Sequence, residues 1–257
     1  MKVGFFQFSP IFGEKNKNLL KVIQTISKVN ADLIVLPELF TTGYVFESKD
    51  ELIPLAEEIP GPTTLEIKKL SSEHKVSIVG GIAEISNNKL YNSSFLVTPQ
   101  GDLKIYRKAH LFFKENIYFT PGDTRFEVHD IGEAKVGLLI CFDWIFPEAM
   151  RSLALKGAEI ICHSANLVMP HCQPAMLTRA LENRIFIITA NRIGVERGLK
   201  FTGKSQIVSP EGKILARAGD DKESLCIIDI DPGEARNKQL NEYNNLFKQR
   251  RKDLYEL

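Results

Sequence analysis

The chain has 257 residues, 44% of them hydrophobic, with 33 lysines and arginines against 32 aspartates and glutamates and a formal net charge of +1. That length can bury a large core as one domain, and the balanced charge offers no strong attraction to nucleic acid or to an anionic membrane surface. No apolar run is long enough for a bilayer span, so a small-molecule partner is expected, with no nucleic acid and no membrane.

In chain order, the apolar run at residues 3–8 reads as a strand and Asn18–Val29 as a helix. A second strand, Leu33–Leu36, ends in Pro37-Glu38 before a Thr-Thr-Gly turn, placing a carboxylate at a strand end. Enclosure by Leu36, Leu39 and Phe40 would raise the pKa of Glu38 towards that of a general base. Pro62–Ser72 reads as a helix with proline in its first turn, and residues 76–83 and 93–97 read as strands. Within Ile105–Glu115, IYRKAHLFFKE, Lys108 lies among aromatic and apolar neighbours.

The run Val136–Ile140 is a short continuous apolar strand that stops at Cys141, followed by Asp143 and by Pro147, where a helix to Lys156 begins. A thiol on such a strand-to-helix turn can reach a pocket while nearby backbone N–H groups stay free for an oxyanion. Further strands at 159–162, 185–190, 205–208 and 225–230 and a helix over Gln173–Asn183 complete a layered α/β pattern. Glu38 and Cys141 each follow a strand, so an internal duplication is conceivable, although no sequence repeat is visible.

Taken singly, each of these residues has an ordinary reading: a buried cysteine, a capping glutamate, a solvated lysine. Together they make a nucleophile, a proton acceptor and a cation for a developing oxyanion, a set that attacks acyl carbons. The motifs LPE, RKxHL and CxDxxFPE that carry them stand unbroken, with SANLVMP, RALENRIFIITANRIG and GKSQIVSPEGKIL further along. In these the chain resembles the nitrilase, or carbon–nitrogen hydrolase, superfamily over nearly its whole length.

The resemblance implies a four-layer α-β-β-α sandwich, pairing across a helix surface into a homodimer or higher homo-oligomer. It also implies Glu38 as general base, Lys108 as oxyanion-stabilising lysine, Cys141 as nucleophile and Glu115 as a second glutamate that positions substrate and catalytic groups. Neither metal nor organic cofactor is implied. Phe142 and Asp143 follow Cys141 where true nitrilases of the superfamily usually carry tryptophan and glutamate. That favours a small linear amide or an N-carbamoyl amine as substrate, with a small aliphatic nitrile as the alternative and a catalytically idle binding or regulatory module as the alternative of another class.

Tyr44 and Phe113 are expected to supply an apolar wall, and Phe142, Trp144 and Asn166 to line the substrate pocket. Arg179, Glu182, Asn183 and Arg184 read as scaffold, with a buried Glu–Arg pair. Cys162, His163, His171 and Cys172 lack the spacing of a structural zinc site, and Gly203–Ser205 lacks the preceding glycine of a phosphate loop. His110, His163 and His171 read as structural histidines, the last two lining or flanking the pocket. The charged segment 231–257, with KQRRK at Lys248–Lys252 as a solvated terminal helix, reads as a tail of one domain spanning 1–257, and the resemblance implies that it contributes to subunit contacts. Met1-Lys2 runs straight into a strand with no signal core, and the four cysteines lack close CxxC spacing, so a reducing cytoplasm is expected.

Overall fold

A computed structural model describes residues 1–255. The strands of the first half are β1 (Lys2–Gln7), β2 (Leu33–Val35), β3 (Ser77–Ser86), β4 (Lys89–Val97) and β5 (Leu103–Arg107). Those of the second are β6 (Val128–Asp130), β7 (Lys135–Ile140), β8 (Ile160–Ala165), β9 (Phe186–Asn191), the short pair β10 (Val195–Glu196) and β11 (Leu199–Lys200), β12 (Gln206–Val208), β13 (Ile214–Arg217) and β14 (Ser224–Asp229). The helices are α1 (Lys15–Ile26), α2 (Lys49–Leu52), α3 (Pro62–His74), α4 (Glu115–Tyr118), α5 (Pro147–Leu155), α6 (Cys172–Asn183) and α7 (Gly233–Arg236).

Two six-stranded sheets result, ordered β14-β1-β2-β3-β4-β5 and β13-β12-β9-β8-β7-β6. β1, β2 and β3 run parallel, as do β7, β8 and β9, and the flanking pairs are antiparallel. The parallel strands are buried on both faces, which is why they read as unbroken apolar runs in the sequence. β5, β6 and β13 are partly exposed outer strands with mixed composition, and sequence pattern alone did not reveal them.

Val3, Phe5, Leu33 and Val35 of the first sheet and Leu138, Ile140 and Ile160 of the second share one core. Val22 and Ile26 of α1 and Ile67 and Leu70 of α3 cover the outer face of the first sheet. Met150, Leu153, Met176 and Ala180 of α5 and α6 extend the core beyond the second. The four-layer α-β-β-α order is the one that the family resemblance implied. No helix among the described residues is long and apolar enough to cross a membrane.

Proline starts two of the longer helices, α3 and α5. Pro62 opens α3, where Thr64 Oγ1 accepts from Gly61 N at 2.9 Å, and Pro147 opens α5 as expected. α1 begins and ends three residues earlier than 18–29, because the chain must return for Asp32 N to reach Lys2 O at 2.8 Å.

The tail differs from expectation. Among the described residues Lys248–Lys252 forms no α-helix, and only a 3-10 turn follows at Lys252–Leu254. Side chains compete with helical bonding here: Asn245 Oδ1 accepts from Phe247 N at 3.1 Å and from Lys248 N at 3.0 Å. The tail lies on its own chain, where Lys238 Nζ donates to Asn183 O at 3.0 Å and Arg184 O at 2.8 Å and the guanidinium of Arg151 stacks over Phe247. Residues 256 and 257 of the tail fall outside the described residues.

Candidate active site

Cys141 directly follows β7 with a φ of 40°, a left-handed conformation that costs a non-glycine residue energy and turns the thiol out of the strand line. The turn that follows is clamped by Asp143, whose Oδ2 accepts from Ile140 N at 2.9 Å and Tyr106 OH at 2.8 Å. Its Oδ1 lies 2.7 Å from His110 Nδ1, and the His110 ring stacks on Phe146 at 3.7 Å. His110 thus supports the cysteine turn, as a structural histidine would.

Glu38 lies beyond β2, fully buried, and is followed by Leu39 at a φ of 48°. The backbone here rests against Gly81 of β3, where an added Cβ would fall 2.5 Å from Glu38 Cα. Lys108 emerges from β5, its N–H bonded to Asn92 O at 2.8 Å. The preceding Arg107 is fastened by Nε to Glu84 Oε2 at 3.0 Å and by Nη1 to Asp123 Oδ1 at 2.9 Å.

Lys108 Nζ donates to Glu38 Oε1 at 2.7 Å and to Glu115 Oε1 at 2.8 Å, with all three side chains buried. Asn92 Nδ2 donates to the same Glu38 oxygen at 2.7 Å, whereas Glu38 Oε2 is buried and has no partner among the described residues. Glu115 is bonded through both oxygens. Its Oε1 also accepts from Tyr44 OH at 2.7 Å, and its Oε2 from Phe112 N at 3.1 Å.

Burial raises the pKa of Glu38, opposed chiefly by the Lys108 charge. Burial alone would lower that of Lys108, but the Glu115 and Glu38 carboxylates outweigh it and keep the ammonium charged. The Cys141 thiol is pushed well up by burial and then by the Glu38 charge, with Lys108 opposing. The resting arrangement is therefore a neutral thiol beside a carboxylate whose pKa is raised and a permanent cation.

From the second sheet, Asn166 Nδ2 donates to Glu38 O at 2.9 Å, bridging the two strand ends. His163 is fully buried, with Nε2 2.9 Å from Cys141 O and Nδ1 3.2 Å from Thr189 Oγ1. Burial lowers its pKa to about 4, so the imidazole is neutral and, because a carbonyl only accepts, Nε2 carries the proton. Cys162 faces the opposite side of β8 into the core, as period-two alternation requires, so it and His163 do not converge on one ligand.

Every sequence-predicted site residue falls in this region. Glu38, Lys108, Glu115 and Tyr44 form one hydrogen-bonded chain. Cys141, Phe142, Trp144 and Asn166 line a niche of about 20 Å³ with Phe112, Val168 and Met169. Phe113 and Tyr44 line a neighbouring chamber of about 410 Å³, although Phe113 is largely exposed and Tyr44 contributes a hydroxyl as well as a ring.

Sequence reading missed Asn92, the clamping role of Asp143, and the buried pair Arg192 Nη1–Glu196 Oε2 at 2.7 Å. Glu196 Oε1 accepts from Tyr44 N at 2.7 Å and Val45 N at 2.6 Å, fixing the loop that presents Tyr44. A charged pair at i,i+4 in a non-helical segment carries no periodic signal. Arg179 pairs with Glu182 at 3.1 Å as the scaffold reading supposed, but the pair is only partly buried. Its further bonds, to Trp144 O and Ile145 O at 3.3 Å each, tie α6 to the cysteine turn.

A family model described as carbon-nitrogen hydrolase matches residues 2–239. The chain is 48% identical, over 99% of both sequences, to a nitrilase of Pyrococcus abyssi. It is 35% identical, over 98% of both, to the 2-oxoglutaramate amidase of Bacillus subtilis. Among solved structures, a double mutant of the amidase from Nesterenkonia sp. AN1 in complex with acrylamide superposes with a TM-score of 0.82 at 23% identity, covering 99% of this chain and 95% of the other. The chain belongs to the carbon–nitrogen hydrolase family, within the nitrilase superfamily, and is an enzyme of that class.

Proposed function

We propose that the protein hydrolyses the carbon–nitrogen bond of a small linear amide or N-carbamoyl amine through a thioester on Cys141, with Glu38 as general base, Lys108 as oxyanion cation and Glu115 as the group that orients Lys108. The observation that carries this reading is the buried Lys108 ammonium shared by two carboxylates, one of which keeps an unpartnered oxygen, beside a strand-end thiol. Relatives named amidase and N-carbamoylputrescine amidase support the substrate class.

In the first half-reaction Glu38 takes the thiol proton and Sγ bonds to the carbonyl carbon. Lys108 and a backbone N–H near Phe142 meet the negative oxygen. The proton returns to the leaving nitrogen as the C–N bond breaks, and ammonia or an amine departs. Water, deprotonated by Glu38, then attacks the thioester, the C–S bond breaks and the thiol is regenerated. Phe142, Trp144 and Asn166 bound the reacting group, and Tyr44 and Phe113 its remainder.

A second reading, nitrile hydrolysis through a thioimidate on the same sulfur, is favoured by the nitrilase relative in Pyrococcus abyssi. One experiment separates them: ammonia release from amides, carbamoyl amines and nitriles by wild type and Cys141→Ala, with the protein mass followed for an acyl adduct. Amide or carbamoyl turnover lost by at least about 10⁴-fold in the variant supports the first reading. Turnover of nitriles alone supports the second. Adducts only on another cysteine overturn both, and no turnover of any of these compounds leaves a binding module.

The same proposal places the enzyme in a reducing cytoplasm, which suits four unpaired thiols, acting on a small molecule and not on nucleic acid. It also makes 1–257 one domain that assembles as a homodimer or larger oligomer using the 231–257 tail, where Leu240, Tyr243 and Leu254 are exposed. Light scattering of the full chain and of a chain ending at residue 230 tests this, and a monomeric full chain would overturn it.

A further inference from the structure

The niche at the thiol and the chamber beside it differ sharply in size and chemistry, yet Phe112, Val168 and Met169 line both. Building on the proposed role of Cys141, we propose that the substrate is a primary carboxamide whose acyl group is apolar and of medium size, aromatic or aliphatic, and that this group occupies the chamber.

The niche of about 20 Å³ has room for about one water-sized group, which suits ammonia as the leaving group. The three shared lining residues direct the rest of the substrate into the chamber of about 410 Å³, a volume in the range of sites that enclose sizeable ligands. Six aromatic rings form much of its wall: Tyr44, Phe46, Phe112, Phe113, Tyr118 and Phe119.

Two charged residues border the chamber, and neither offers a buried counter-ion. Glu115 is bonded through both oxygens to Lys108, Tyr44 and Phe112 N. Lys114 is exposed, its Nζ 5.9 Å from the centre of the Phe113 ring, where water screens it. A carboxylate or ammonium on the acyl chain would lose hydration with no buried partner to replace it, whereas an apolar group gains by leaving water.

The test is kcat/KM for acetamide, butyramide, hexanamide, phenylacetamide, succinamate and 4-aminobutyramide, with intact-mass detection of the acyl adduct. The expected result is a rise of about three- to fourfold per added methylene, phenylacetamide comparable to hexanamide, and both charged amides at least about tenfold below butyramide. Leu199→Lys, which puts a cation at the half-buried chamber edge, should lower the hexanamide-to-acetamide ratio about tenfold. Met169→Lys, at a more exposed position, reads out the same ratio if the first variant does not fold. Adducts on Cys141 combined with a flat series, or with preference for a charged amide, overturn the chamber assignment and leave the thioester reading intact. Absence of any adduct and turnover overturns both.

Discussion

The two sheets repeat one plan and differ in what they place at the strand ends. Read from β14 to β5 and from β6 to β13, both give the same ladder: an antiparallel pair, two parallel pairs, then two antiparallel pairs. In this match β2 corresponds to β8, so Glu38 and Asn166 leave equivalent strands, and Asn166 reaches across to the Glu38 carbonyl. The first half supplies the charged groups that converge beside the thiol, Glu38, Lys108 and Glu115. The second supplies uncharged groups, the Cys141 thiol, Asn166 and neutral His163. A duplicated frame thus juxtaposes two strand ends, and the chemistry comes from their divergence.

The largest effect should follow from removing the cation of the charged half. Lys108→Met leaves the Glu38 and Glu115 carboxylates buried without their common partner, so one must take up a proton. Turnover should fall by at least about 10³-fold through loss of oxyanion stabilisation, and unfolding free energy by about 3–5 kcal/mol as for a broken buried pair. Amide turnover and urea denaturation measure the two. Near-normal turnover would mean that the first half does not carry the oxyanion.

The uncharged half has its own sensitivity, to pH. His163 has a folded pKa of about 4, below its unfolded value near 6.5, so the unfolded chain binds its proton first as pH falls. The contribution of a neutral His163 is therefore present above about pH 6.5, declines by about 1.4 kcal/mol per pH unit below that, and is lost below about pH 4, a total of about 3 kcal/mol. His163→Gln cannot take up this proton. The difference in unfolding free energy between wild type and variant should narrow or reverse from pH 6.5 to 4, and a constant difference would remove His163 from the account.

How much of this was legible depended on the kind of signal. Leu33–Leu36 and Val136–Ile140 announced themselves because parallel strands buried on both faces are continuous apolar runs, and the residues that break those runs are Glu38 and Cys141. Lys108 stood out as a charge in an aromatic setting, and the unbroken motifs joined the three. The partners were not legible. Asn92 lies inside β4 and Asp143 in a turn, and their importance comes from hydrogen bonds that span the fold. The tail misread had a similar source, since its asparagines bond their own backbone and displace the helix that its charge pattern suggested.

Gly81 tests whether close backbone approach is what seats the charged half. A methyl group there would meet Glu38 Cα at 2.5 Å and Leu39 N at 2.6 Å, both backbone atoms that cannot swing aside. Gly81→Ala should displace Glu38 and reduce kcat/KM by about 10–100-fold, the scale of a misplacement near 1 Å. The fluorescence of Trp144, the single tryptophan of the chain and a member of the cysteine turn, provides the comparison, since it reports whether the second-half strand end has also moved. A shifted emission alongside the activity loss would mean that the two ends move as one unit.

The smallest effect belongs to the outer support of the cysteine turn. Arg179 donates to Trp144 O and Ile145 O at 3.3 Å each, long bonds from a side chain that is partly solvated, and water can replace much of what they contribute. Asp143 holds the same turn from inside with shorter bonds to Tyr106, His110 and Ile140 N, which should dominate. Arg179→Ala should therefore cost about 1 kcal/mol in unfolding free energy and change kcat/KM by no more than about threefold. A loss near that of Gly81→Ala would shift the burden of positioning Cys141 from the Asp143 clamp to α6, and would make the uncharged half depend on its outer helix in a way that the charged half does not.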